Sequence, residues 1–239
     1  MKSVKLYPKI ARDSFLEQFK WSIWFFSFLT LAHVIGMFIA NRNDANVEGF
    51  FVFSSYSAAI FMLVCGIIAA FGFMAYFVQQ GISRKDMFFG VVIGAFGLTI
   101  AVTVVPLAIH AIEHLISNFI SMPVKSDSLT IFERTSGWFS AIGVFFLNVF
   151  TYYLVGWLIG IGYYRFNWLI GLGFVGLAIV ALSLNGFFWG EAGLSTIIPW
   201  IPYILTETSL LMSVIGSLLL IAVLIIATRM LTKRIPIKL

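Results

Sequence analysis

Six apolar stretches dominate this chain, and each is long enough to be a helix that crosses a bilayer, which takes about 20 residues. They run over about Trp21–Ala40, Phe51–Val78, Met87–Ile116, Trp138–Tyr164, Asn167–Phe188 and Leu210–Ala227. Their cores contain no Asp, Glu, Lys or Arg. They are apolar all round, so the ten-residue alternation of a membrane β-barrel is not what they show. The fold class expected is all-α: a polytopic membrane protein of six transmembrane helices. Composition agrees, since only 10% of residues are charged. A soluble domain carries roughly 25%.

Charge sorts by side. With the N-terminus placed in the cytoplasm, the inner segments hold Lys2, Lys5, Lys9, Arg12, Lys20, Arg84, Lys85, Arg165, Arg229, Lys233, Arg234 and Lys238 against Asp13, Glu17 and Asp86. The outer segments hold Arg42, Lys125 and Arg134 against seven acids. The excess of inner Lys and Arg orients the chain with both termini cytoplasmic. The net charge of +5 therefore faces the anionic inner leaflet, and nothing in it calls for nucleic acid. Trp21, Trp24 and Trp168 fall near inner boundaries and Trp138, Trp189 and Trp200 near outer ones, where indoles favour the interface. Trp157 lies deeper.

The segments outside the spans divide the chain further. Residues 1–20 are expected to form a cytoplasmic interfacial helix, because Ala11, Phe15 and Phe19 share one face and Lys9, Asp13, Glu17 and Lys20 the other. The transmembrane domain then covers 21–228, and 229–239 is a basic cytoplasmic tail. Outer segments cover 41–50, 117–137 and 189–209. The last of these carries Gly190, Gly193, Pro199 and Pro202, a composition suited to a re-entrant or interfacial element.

The inner segment 79–90 is the most ordered of the connections. Gly81 is placed to end one helix. Ser83 with Asp86 three residues later is a capping-box pattern that starts the next. The result is a sharp polar corner carrying Arg84 and Lys85, suited to docking on a cytosolic partner. Within the spans, Gly90 with Gly94 and Gly156 with Gly160 are small-x-x-x-small pairs that allow close helix packing or dimerisation. Asn148 and Asn185 are each placed to bond a neighbouring helix.

Candidate chemistry is sparse. There is no Gly-Lys dipeptide, hence no phosphate-binding loop of the G-x-x-x-x-G-K-[ST] kind. Any ATP-driven work must use another chain's ATPase. His110-Ala111-Ile112-Glu113-His114 matches the H-x-x-E-H zinc-peptidase pattern, with Glu191 a conceivable third ligand. Its position at the outer end of a span favours a hydrogen-bonded helix end. A milder reading is a polar cluster of His33, His110, Glu113 and His114 that senses protons or touches substrate. Cys65 lies in mid-span, where cysteine is a packing residue.

Six spans, both ends inside, a leading interfacial helix and the corner Gly81-Ile82-Ser83-Arg84-Lys85-Asp86-Met87-Phe88-Phe89-Gly90 together resemble a compact permease of the ABC type-2 exporter family. The resemblance implies that Gly81, Ser83, Arg84, Lys85 and Asp86 form a coupling helix at the ATPase contact. It implies two copies of a cytosolic ATPase that bind ATP and Mg, a second permease subunit, identical or related, and a site in the plasma membrane of a bacterium. The chain itself is then a transport subunit with no catalytic residues, cofactor or metal of its own. The large outer domain of the lipoprotein-handling and macrolide-exporting relatives has no counterpart here. Walls rich in Phe, of which there are 26, suit an apolar or amphipathic cargo such as a phenol-soluble modulin, a bacteriocin or another peptide toxin. Two other readings carry their own expectations: a membrane-embedded zinc hydrolase using His110, Glu113 and His114, and a non-transporting scaffold or immunity protein.

Overall fold

A computed structural model of the chain describes residues 6–120, 123–125, 137–166, 168–190 and 209–233. These form helices α1 (Tyr7–Arg42), α2 (Phe50–Ile68), α3 (Met74–Gln79), α4 (Arg84–Ser117), α5 (Trp138–Arg165), α6 (Trp168–Trp189) and α7 (Leu210–Thr232). A π-helical turn over Ala69–Phe73 joins α2 to α3, and Phe50–Phe73 forms one span. Two-residue strands β1 (Val47–Glu48) and β2 (Val124–Lys125) pair in parallel, Val47 opposite Val124, and tie two connections at one end of the bundle. Among the described residues six helices are long and apolar enough to cross a membrane, so the chain is an all-α, multi-pass membrane protein.

The helix ends follow local chemistry. Asp44 adopts φ 49° after α1, and the Ala45 amide donates to the Ala40 carbonyl at 3.0 Å. Gly81 adopts φ 76° after α3, and the Ile82 amide donates to the Phe77 carbonyl at 3.2 Å. Both are Schellman endings, in which a left-handed residue turns the chain so that an amide beyond it closes onto the last turn. Ser83 caps α4 by accepting from the Asp86 amide at 3.1 Å and donating to the Asp86 carboxylate at 2.9 Å.

α5 is the centre. It touches α2, α4, α6 and α7, and it buries Phe145, Tyr153, Leu154 and Trp157 completely or nearly so. Lipid gives helices little hydrophobic reason to associate, so contact depends on close approach of backbones. Gly156 and Gly160 provide it: a side chain at either would run into Leu63, Ile67 or Ala70 of the α2 span. Gly66 answers from α2 against the Tyr153 backbone. Gly90 and Gly94 serve another seam, where Ile10, Ala11 and Ser14 of α1 lie against α4. Both glycine pairs are thus used within the chain. Trp157 stacks on Phe88 with ring centroids 5.2 Å apart.

Two expectations need correcting. Residues 8–20 are helical and amphipathic, but they are no separate interfacial element: α1 runs unbroken for 36 residues, roughly 54 Å. Its inner face, Ile10, Ala11, Ser14 and Gln18, is buried in the bundle. The seam with the α4 glycines holds that face, so it does not turn to lipid. Trp189 is 0% exposed, so it packs in the core and does not join an aromatic belt. Trp24 and Trp168, in contrast, are 70% and 69% exposed. Most of 189–209, with Glu191 and Trp200, and the tail beyond Lys233 lie outside the described residues.

Candidate functional site

The corner between α3 and α4 is braced from α7. Arg84 donates to the Lys233 carbonyl at 3.1 Å, and Arg229 donates back to the Arg84 carbonyl at 3.2 Å. The Arg229 guanidinium also lies 5.1 Å from the Phe88 ring centroid and 5.8 Å from that of Phe89. Arg165, at the end of α5, donates to the Leu231 carbonyl at 2.9 Å. The last carbonyls of a helix lack internal partners and carry its negative dipole end. Two guanidinium groups satisfy them here. Arg84 is therefore occupied inside the chain, half-buried, whereas Lys85 is exposed on the outside of the corner. Gly81, Ser83 and Asp86 shape the turn.

At the opposite end of the bundle, Glu113 of α4 holds three elements. Its Oε1 accepts from His33 Nε2 of α1 at 2.8 Å. Its Oε2 accepts from the Phe50 amide at 2.8 Å and from His110 Nδ1 at 3.1 Å. An ionised carboxylate only accepts, so both imidazoles donate. Phe50 opens α2, whose cap residue Gly49 offers no side chain, so Glu113 supplies the missing cap from another helix. A side chain at Gly49 would meet the His110 ring. His33 and Glu113 are 4% and 8% exposed, and the Phe53 ring lies 4.8 Å from that of His33.

The structure brings His33, His110 and Glu113 together and leaves His114 apart. One residue past Glu113, it sits about 100° round the helix and is exposed. Among the described residues no three His, Cys, Asp or Glu side chains are arranged to hold a metal ion. The carboxylate is turned instead toward α1 and the start of α2. The Phe50 amide has no counterpart in the sequence motif, because a backbone donor leaves no mark in a sequence.

A cleft runs from this cluster along α1 and α4. At its outer end a cavity of about 410 Å³ is lined by Thr30, His33, Met37, Asn41, Ile109 and Glu113 among others. A second cavity of about 390 Å³, with Ser22, Phe26, Ser27 and Val105 in its wall, shares Thr30 and Ile109 with the first.

Two more polar groups cross the interior. Asn185 of α6 donates its amide to Asn148 of α5 at 2.7 Å, so the two asparagines bond each other. Gln18 of α1, 0% exposed, donates to the Cys65 carbonyl at 3.0 Å and accepts from the Tyr153 hydroxyl at 3.3 Å. It joins α1, α2 and α5 just before the π-helical turn. Gln18 stood among charged residues in the sequence, and that setting concealed its buried role.

No family model matches the chain, and neither a curated protein nor a solved structure matches it.

Proposed function

We propose that this chain is the transmembrane permease subunit of an ATP-driven exporter of the ABC type-2 kind, in the plasma membrane of a bacterium. The observation that carries the reading is the corner at Gly81–Asp86. A Schellman ending and a capping box stiffen it, and Arg229 ties it to the last span. A corner pushed by a cytosolic motor must be rigid and linked to the spans, and the caps here and the Arg229 bond to α7 support that reading. Two ATPase subunits supply ATP and Mg chemistry, and a second permease subunit completes the pathway. The cargo is apolar or amphipathic. Transport proceeds by alternating access between two packings of the spans.

The zinc-hydrolase reading has less behind it, since His114 stands apart and the Glu113 oxygens face His33, His110 and the Phe50 amide. A scaffold or immunity protein would use the same corner without moving cargo, and a vesicle transport assay separates it from an exporter.

The docking test is co-expression and co-purification with any ABC ATPase encoded beside this chain. Lys85→Glu is the variant of choice, because Arg84 is engaged with α7 and its loss would disturb the corner itself. The ATPase is expected to copurify with the wild type and to be lost from Lys85→Glu. Failure of any ATPase to bind the wild type overturns the exporter reading.

A further inference from the structure

The guanidinium groups of Arg84 and Arg229 make one hydrogen bond each, although each carries five N–H donors. Their acceptors are the neutral carbonyls of Lys233 and Arg84, so neither charge is compensated. Among the described residues the ion pairs use Asp13, Glu17 and Glu113, and none includes Arg84, Lys85, Arg229 or Lys233. Asp86 is the one acid of residues 79–90, and its carboxylate accepts from the Ser83 hydroxyl at 2.9 Å. An arginine stays charged whatever surrounds it. The junction of α4 with α7 therefore holds two fixed, half-buried cations with spare donors, and Lys233 stands exposed beside them.

Apolar surface adjoins these cations. Arg229 lies over the rings of Phe88 and Phe89, and Phe89 is exposed, as is Ile93 one turn further along α4. On α7, Ile226 precedes Arg229 by three residues, so it shares that face, and it too is exposed. Helix dipoles do not set the sign of a ligand here. α4 begins at the junction with its positive end and α7 finishes there with its negative end, so the two offset. The guanidinium groups set it, and their planar forks match phosphate oxygens. We infer that the α4–α7 junction binds the phosphate of an anionic phospholipid from the leaflet at this end of the bundle. Arg84 and Arg229 donate to its oxygens, Lys233 adds its charge, and the acyl chains lie against Phe89, Ile93 and Ile226. A soluble phosphate ester or an acidic protein would engage the cations and leave the apolar flank uncovered, which favours the lipid. The site does not depend on the transport reading above.

The experiment uses the full chain in phosphatidylcholine nanodiscs doped with a trace of a photoactivatable lipid. Two such lipids share the same acyl chains, with a diazirine near the glycerol end. One is a phosphatidylglycerol. The other is a phosphatidylcholine, which has the same phosphate but brings a cation of its own. The phosphatidylglycerol is expected to label residues 89–93 and 222–226 roughly tenfold more than the phosphatidylcholine, the scale of one charge-assisted hydrogen bond. Arg229→Lys keeps the charge and loses the fork, and should remove most of that preference. Arg12→Gln removes an exposed charge on α1 and should leave it unchanged. General attraction of anionic lipid to a basic surface predicts the reverse for the two variants, and that result overturns the proposal. Equal labelling of the wild type by the two lipids overturns it as well. Excess soluble glycerol phosphate is expected to leave the labelling intact; its loss would make the free ester the occupant and sink the lipid assignment. No ATPase is present, so this result and the co-purification result fail independently.

Discussion

Arg84 and Arg229 each donate to main chain across the same junction, Arg84 to the Lys233 carbonyl and Arg229 to the Arg84 carbonyl. The first turn of α4 and the last turn of α7 are thereby fixed to each other. Removing Arg229 loses a charge-assisted hydrogen bond and the stacking of its guanidinium over Phe88. Arg229→Ala is expected to cost about 2–3 kcal/mol in unfolding free energy. Arg229→Lys should recover only part of this, because an ammonium lacks the planar fork that meets a carbonyl and a ring together. Chemical denaturation of the purified protein in detergent measures both.

The carboxylate at the other end should behave as a unit with its partners. Glu113→Ala strands two imidazole donors and the Phe50 amide, and an expected loss of about 3–5 kcal/mol follows from breaking a buried polar cluster. His33→Ala leaves two of the three bonds in place and should cost less, about 1–3 kcal/mol. In a double-mutant cycle the pair should couple by about 1–2 kcal/mol. Additivity of the two substitutions would contradict the 2.8 Å bond between them.

Glycines that look alike in sequence should separate in experiment. Gly156→Leu drives a side chain into the Leu63 backbone of α2, whereas Gly173 has open space around it. Gly156→Leu is expected to abolish a monodisperse peak in size-exclusion chromatography, and Gly173→Leu to leave it intact.

The asparagine pair allows a test of how much one interhelical hydrogen bond contributes. Asn148→Leu leaves Asn185 without its acceptor and is expected to cost about 1–2 kcal/mol. Asn148→Leu combined with Asn185→Leu should be closer to wild type than either alone. Thermal unfolding of the four proteins decides it.

Local signals carried a good deal of this fold. Apolar runs located the six helices, and Gly81, Ser83 and Asp86 announced the corner with the turn it actually makes. These features depend on a few neighbouring residues and on backbone chemistry. Partnerships between helices were less legible. Spans that are apolar all round do not reveal which face meets which neighbour, so the α1 seam on Gly90 and Gly94 and the burial of Trp189 were invisible. His33 and Glu113 were grouped because both lie near an outer boundary. His114 was grouped with them by its spacing from His110, and spacing along one helix says nothing of where Glu113 turns to find α1. The bond from Arg84 to the Lys233 carbonyl is likewise illegible, because the two residues lie 149 apart in sequence.

The two oxygens of Glu113 have different consequences for movement. Oε2 keeps the first turn of α2 closed, and Oε1 reaches across to α1. Should the outer half of α1 swing away, pivoting where Ile10 and Ser14 sit on the α4 glycines, the Oε1 bond and the His33 ring contacts with Phe50 and Phe53 break, and the Oε2 bonds do not. α2 keeps its anchor throughout. One carboxylate thus serves as both a fixed rivet and a latch, and the mouth of the cleft can open while the four-helix contacts of α5 stay closed.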